Sequence, residues 1–313
     1  MATHRAVHVP SAGAEFAFAD VETAAPPRDH VRIAVSACGV CGTDHAFVNG
    51  GFPGLSWPVT PGHEIAGTVA EVGDGVEDFA VGDRVAVGWF GGNCNRCVPC
   101  RQGHFMQCER MQVPSWHYPG GYAESVTAPA TALARVPEGL SFVEAAPMGC
   151  AGVTTFNGLR KTRAKAGDLV AVLGVGGLGH LGVQFARAMG FETVAIARGA
   201  GKEADARELG AHHYIDSTAG DPAAELKKLG GATVTGYLAA TTWANSARAL
   251  APTTMSLTPS PEPNSAPPVE NWMMPSLPAS AKPLIAALMV SDDVQLMAGN
   301  ANECSLARPS ISA

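Results

Sequence analysis

The sequence predicts an α/β protein in two parts, a small β-barrel followed by a doubly wound parallel sheet. Three observations carry this prediction. Short runs of alternating polarity, punctuated by glycine, occupy the chain as far as Thr127. After Glu144 the spacing turns helical, and Leu169-Val-Ala-Val-Leu173 then forms a continuous apolar run, the mark of a strand buried on both faces. Directly behind that run stands a glycine-rich turn, Gly174-Val-Gly176-Gly177-Leu178-Gly179, which opens a helix.

The first part is placed at residues 1–148. Arg5-Ala-Val-His-Val9 and Val31-Arg-Ile-Ala-Val35 alternate like antiparallel strands, with Pro26-Pro27 and Asp29 as turn residues between them. Cys38-Gly-Val-Cys41-Gly-Thr43-Asp44-His45 follows, then a loop with Gly50, Gly51, Pro53 and Gly54. Pro61-Gly62-His63-Glu64 leads into a strand over Ile65–Val72, Val81–Val85 turns into another, and Gly120–Thr127 is read as one more.

Inside this part lies Cys94-Asn-Arg-Cys97-Val-Pro-Cys100, with Cys108 eight positions on. Thiolates at that spacing on an irregular loop converge on one small volume and close a tetrahedron, the arrangement of a structural zinc. A disulfide pair fits less well, because near neighbours bridge poorly and nothing at the N-terminus looks secretory. An iron–sulfur run would place its last cysteine after three residues and follow it with proline; here the gap is seven and Glu109 follows. The site is therefore assigned to Zn²⁺.

The second part is placed at residues 149–250. Ala145 to Leu159 is read as one Ala-rich helix with Cys150 inside it. Strand, glycine turn, helix His180–Met189 and strand Thr193–Ala197 make one dinucleotide-binding unit, in which glycines let backbone N–H groups approach a pyrophosphate. The ladder continues with a helix over Lys202–Leu209, a strand end at Tyr214-Ile215, a helix over Ala223–Leu229 and a strand over Val234–Ala239. Where a carboxylate would hold the ribose 2′-OH at the end of the second strand stands Arg198, with Lys202 nearby. Cations there suit a 2′-phosphate and favour NADP(H) over NAD(H).

Composition bounds the rest. The 313 residues, 46% of them hydrophobic, suffice for two cores, and the net charge of −7 with no basic run argues against a nucleic-acid surface. The apolar stretch from Leu169 to Ala186 carries five glycines, His180 and Gln184, so it reads as strand, turn and helix rather than a membrane span. Cysteine use without a secretory leader points to a reducing, cytoplasmic setting.

Four cysteines remain outside the zinc loop, Cys38, Cys41, Cys150 and Cys304. With His63 on its rigid turn, a Cys₂His set that leaves one metal position open can be assembled from them. Here the chain resembles the zinc-dependent medium-chain alcohol dehydrogenases. Cys41-Gly-Thr43-Asp44, Gly62-His63-Glu64, the four-cysteine loop, Gly82-Asp83-Arg84-Val85 and the glycine turn occur in that family's order, over about residues 1–245. The resemblance implies a GroES-like catalytic domain and a Rossmann domain. It implies a catalytic Zn²⁺ on Cys41, His63 and Cys150, with Glu64 beside it and Asp44 holding a ligand imidazole. It assigns Thr43 to the substrate oxygen and places Trp57 and Trp89 on the substrate pocket. Relatives often carry a proton-relay histidine one place after His45, where this chain has Ala46, so His45 is the candidate substitute. Cys38 is read as a core residue, His180 as a helix cap and His212-His213 as a surface pair.

The tail, residues 251–313, departs from the family. Of 36 glycines only Gly299 follows Gly236, and Pro252–Pro283 holds nine prolines. Proline removes ladder donors, so this stretch is read as extended, with a short helix over Leu284–Met289 and no barrel strand after it. The abrupt change of composition suggests a shifted reading frame, aberrant splicing or strong divergence, and a Rossmann sheet incomplete at its C-terminal end. Three functions follow: an alcohol or aldehyde oxidoreductase using NADP(H), a catalytically impaired relative with intact zinc sites, and a zinc-free quinone reductase, which the zinc motifs argue against. The expected partner is a small alcohol or aldehyde, with no nucleic acid and no membrane, and a homo-oligomer is expected if the C-terminus folds.

Overall fold

A computed structural model describes residues 2–162, 164–230, 236–239 and 295–297. They form two compact units. The first runs to Cys150 and takes in Gln295–Met297; the second begins at Ala151.

The first unit starts with a two-stranded ribbon, β1 (Thr3–His8) against β2 (Ala17–Glu22). The long strand β3 (His30–Gly39) is its axis, and helix α1 (Gly42–Val48) follows. Next come β4 (Glu64–Val72), β5 (Arg84–Val87), the short helix α2 (Val98–Arg101), β6 (Ser125–Pro129), β7 (Ala134–Arg135) and helix α3 (Phe142–Ala145). β3 pairs antiparallel with β4 on one edge and with β6 on the other; β4 continues to β5, and β5 to β7. Strand alternation points Val31, Ile33 and Val35 to one face, where they pack with Ile65, Val69, Val85, Val87 and Val126.

The runs around Arg5 and Val31 are strands, but they do not pair with each other. β1 pairs with β2, which the sequence reading passed over because none of its residues is buried and Phe18 and Val21 are its only large apolar residues. The run Gly120–Thr127 becomes a strand only at Ser125. A further correction concerns the tail. Gln295–Met297 forms β12, parallel to β3 at Ala37–Gly39, on the edge that β6 leaves after Ala34. Three residues are too few for alternation to show in a sequence. The proline-rich stretch and the helix expected at 284–289 lie outside the described residues.

The second unit opens with helix α4 (Ala151–Lys161). It continues with β8 (Leu169–Leu173), α5 (Gly179–Ala188), β9 (Glu192–Ala197), α6 (Glu203–Glu208), β10 (His213–Asp216), α7 (Pro222–Lys228) and β11 (Gly236–Ala239). The strands are all parallel in the order β10-β9-β8-β11. Both sheet faces are covered. Val172, Ala195 and Ala197 pack with Ala206 of α6, while Ala171, Val194, Ile196 and Ile215 pack with Leu226 of α7. Helix α7 starts one residue before the expected Ala223: Asp221 accepts from the N–H of Ala223, and Pro222 occupies the first turn.

Candidate active site

Strand register brings the first cluster together. Gly39 at the end of β3 sits opposite Glu64 at the start of β4, so the segments just beyond, Cys41 and His63, meet. Cys150 arrives from a third direction. A 3₁₀ turn, Ala146–Gly149, ends at Cys150, which takes φ −127° and ψ −76° before α4 begins. The single helix expected over 145–159 is thus broken here, and Pro147 and Gly149 are the residues that break it. The break lets the Cys150 thiol face the cluster.

One donor atom each from Cys41, His63, Glu64 and Cys150 lies within 4.8 Å of all the others. His63 Nε2 is 3.3 Å from Cys150 Sγ, and His63 Nδ1 is 2.9 Å from Asp44 Oδ1. His63 is fully buried, and Asp44 and Glu64 nearly so. The hydrogen bond from the Cys150 thiol draws the Cys41 pKa down to about 4, helped by His63 and opposed by burial. Cys150 shifts upward as the other half of that shared proton. Burial, then the Cys41 charge, pushes Glu64 up to about 8. For His63 burial opposes the charged form, but Asp44 outweighs it and the imidazole is held well above its ordinary range. Two thiols and two carboxyls around one imidazole leave buried negative charge in excess, and a cation among them removes that cost. Two thiolates and an imidazole are soft ligands suited to Zn²⁺, and a carboxylate on the free Nδ1 side fixes the tautomer that leaves Nε2 for metal.

The second cluster is the lobe from Cys94 to Cys108, where the four sulfur atoms converge. Cys108 Sγ is 3.6 Å from Cys94 Sγ and 3.9 Å from Cys97 Sγ, and the N–H groups of Cys94 and Arg110 each donate to it at 3.3 Å. The backbone N–H of Arg96, then that of Cys97, lowers the Cys94 thiol to about 6, while burial raises Cys108 to about 11. No described cysteine is in a disulfide. The lobe has no apolar core of its own: Val98, Phe105 and Met106 are 64, 46 and 60% exposed.

Around the first cluster, Thr43 Oγ1 lies 3.6 Å from Cys41 Sγ. Trp89 stands edge-on to His63 at 5.6 Å, and Phe47 stacks on Phe52 at 4.3 Å. Trp57 and Trp116 complete this aromatic group. His45 is exposed on α1, with its carbonyl accepting from Asn49. Cys38 is fully buried in the core below. The sequence reading did not pick out Phe47, Phe52 or Tyr122. Tyr122 donates its hydroxyl to Asp44 Oδ2 at 2.9 Å.

In the second unit the glycine turn is tight. Gly174 has φ 85° and its N–H donates to Ile196, while a Cβ on Gly179 would collide with the Gly174 carbonyl. Gly177 is exposed with open space at its Cα, and Leu178 occupies the position before α5 without a side-chain cap bond. His180 bonds back to the Gly176 carbonyl through Nδ1 at 3.0 Å. An open turn at the start of a ten-residue helix fits a phosphate group. β9 ends on Ala197, which offers no carboxylate, and exposed Arg198 follows. Lys202 is engaged within the turn: its Nζ donates to the Val175 carbonyl at 2.9 Å. The histidine pair is half-buried, His212 against Arg187 and His213 against Glu192.

This constellation has counterparts in known proteins. Residues 27–138 match the alcohol dehydrogenase GroES-like domain and residues 177–255 the zinc-binding dehydrogenase domain. Alcohol dehydrogenase patD of Aspergillus clavatus is 45% identical over 213 residues, 68% of this chain and 55% of patD. Among solved structures, the cinnamyl alcohol dehydrogenase SbCAD4 of Sorghum bicolor is similar at TM-score 0.68 and 31% identity, over 77% of this chain and 70% of that one. A protein named CAD from Helicobacter pylori, complexed with NADP(H), is similar at TM-score 0.63 and 31% identity, over 68% and 64% of the two chains. The chain belongs to the zinc-dependent medium-chain alcohol dehydrogenase family. It spans 55 to 65% of the length of the first curated relatives it matches. Among the described residues no helix is long and apolar enough to cross a membrane.

Proposed function

We propose that this chain is a zinc-dependent alcohol dehydrogenase that moves a hydride between a small alcohol, or its aldehyde or ketone, and NADP(H). The observation that carries this reading is the convergence of Cys41, His63 and Cys150, with Glu64 beside them and Asp44 behind His63. These three side chains would hold the catalytic Zn²⁺, and Cys94, Cys97, Cys100 and Cys108 a structural one. Bound there, Zn²⁺ supplies Lewis acidity to the substrate oxygen, and the nicotinamide supplies the hydride chemistry.

The protein's own groups do the rest. Asp44 fixes the His63 ring. Thr43, adjacent to Cys41, presents a hydroxyl that takes a proton from the substrate hydroxyl and passes it outward, with exposed His45 as the candidate next carrier. Trp89, Phe47, Phe52, Trp57 and Trp116 form an apolar wall that excludes water and favours an aromatic or otherwise apolar alcohol. The name of the Sorghum neighbour supports that substrate class. Arg198 supplies the charge for a 2′-phosphate, in line with the NADP(H) complexed to the Helicobacter neighbour.

Titrating the zinc-loaded chain with NADPH and with NADH, followed by cofactor fluorescence, tests the proposal. Saturable binding, tighter for NADPH, is the expected result; equal or tighter NADH binding overturns the cofactor preference. A second reading, a relative with intact zinc sites and no turnover, is favoured by the loss of glycine after Gly236. A folded chain with two zinc ions and no affinity for either cofactor would establish it. We also place the chain in the cytoplasm and expect it to self-associate if the C-terminus folds, which light scattering would check.

A further inference from the structure

Tyr122 is a buried phenol, 6% exposed, outside every motif that marks the metal centre. Its backbone is pinned. The N–H groups of Gly120, Gly121 and Tyr122 donate to the carbonyls of Thr60, Gly62 and Pro61 at 2.8, 2.7 and 2.9 Å. That ladder runs beside the turn that carries His63. Gly62 makes room for the ring, since a Cβ there would come within 2.6 Å of Tyr122 Cδ1.

The hydroxyl reaches one group, Asp44. That carboxylate collects four donors. Oδ1 takes His63 Nδ1 at 2.9 Å and the Gly62 N–H at 3.3 Å; Oδ2 takes the Cys41 N–H at 2.9 Å and the Tyr122 hydroxyl at 2.9 Å. Asp44 therefore ties together the two loops that bear Cys41 and His63. Without the phenol, Oδ2 keeps a single donor on α1's own first turn, and nothing from a third segment fixes the carboxylate plane.

We propose that Tyr122 is a positioning residue of the metal centre, holding Asp44 in the orientation that aims His63 Nε2 and Cys41 Sγ at one point. It acts through Asp44 and touches neither metal nor substrate. Groups behind a metal's direct ligands usually set affinity by a factor of about 10 to 100, and one further removed falls near the lower end. The inference rests on the reading that Cys41, His63 and Cys150 hold zinc.

The test is zinc withdrawal by a competing chelator from the full chain, comparing wild type with Tyr122→Phe. The four-cysteine lobe is the internal control. In the variant, zinc from the Cys41–His63–Cys150 site is expected to bind about 10-fold more weakly, with the lobe unchanged. Equal weakening at both sites means general destabilisation and overturns the inference, as does no change at either. In an Asp44→Asn background, Tyr122→Phe should add nothing; a full additional effect would show that Tyr122 does not act through Asp44. A wild-type chain that binds only the lobe zinc defeats the underlying reading instead, so the two failures are distinguishable.

Discussion

The Cα of Gly88 lies against the backbone of Gly149, so closely that a Cβ on Gly88 would overlap the Gly149 carbonyl. Gly149 precedes Cys150, so Gly88, just past the end of β5, is the wall against which Cys150, the third proposed ligand, is set. Gly88→Ala must push that segment away, because backbone cannot swing aside as a long side chain can. Overpacking of this kind costs about 1–3 kcal/mol. The expected outcome is a lower denaturation midpoint together with loss of the zinc proposed for Cys41, His63 and Cys150, while the lobe keeps the one proposed for it. Zinc content measured after gel filtration checks it; a variant with wild-type zinc content would show that Cys150 needs no such support.

With a metal bound as proposed, the lobe from Cys94 to Cys108 should depend on that metal more than on packing. Its large side chains face solvent, and little is buried there besides Cys100 and Cys108. Four thiols without a cation have no reason to stay together, and metal binding in such a loop is folding free energy. Cys97→Ser should therefore loosen residues 94–108 with little effect on the two sheets. Limited proteolysis is the readout: cleavage confined to the lobe is expected, and a lobe as resistant as in wild type would mean that backbone bonds alone suffice.

Most of the residues that converge in the two clusters could be read from the sequence because they sit in short local patterns: Cys41 before Thr43-Asp44, His63 after Pro61-Gly62, the lobe cysteines within one loop; Cys150 has no such pattern and is placed only by the family resemblance. The glycine turn could be read for the same reason. What escaped depends on chain segments far apart in sequence. Tyr122 reaches Asp44 only because residues 120–122 run beside residues 60–62. The Ala-rich stretch around Cys150 has helical composition; Pro147 and Gly149 interrupt it, and the contact with Gly88 fixes where the interrupted segment sits. Strand β2 carries too little buried surface to leave a pattern. Lys202 is placed near the phosphate by its position, and the contact its ammonium makes, with a carbonyl 27 residues away, leaves no mark in the local sequence.

Asp216 at the end of β10 gives stability a pH signature. Its carboxylate accepts from the hydroxyl and N–H of Thr218 and from the N–H of Gly199, and these bonds, Thr218 first, hold its pKa below the ordinary 3.8. A depressed folded-state pKa adds stability above the unfolded value and loses it as pH falls through the folded one. Asp216→Ala should thus lower the denaturation midpoint at neutral pH, and the gap to wild type should close as the pH drops below about 5. Chemical denaturation at stepped pH measures it. A gap that stays constant into acid would mean that the charge of Asp216 is not what those donors stabilise.

Arg198 and Lys202 are the two cations proposed to receive a 2′-phosphate, yet their surroundings separate them. Arg198 is exposed just past the end of β9, whereas Lys202 Nζ holds the Val175 carbonyl inside the glycine turn. If the turn cradles the pyrophosphate, Lys202 shapes a part of the site common to both cofactors. Lys202→Ala should then weaken NADPH and NADH by similar factors. A charged contact to the 2′-phosphate is worth about 1.5–3 kcal/mol, so Arg198→Ala should weaken NADPH by about 10- to 100-fold and leave NADH nearly untouched. Parallel titrations of both variants with both cofactors decide the matter. A selective loss of NADPH in Lys202→Ala would mean that the lysine leaves Val175 and turns to the phosphate when the cofactor binds, and that the pair acts together.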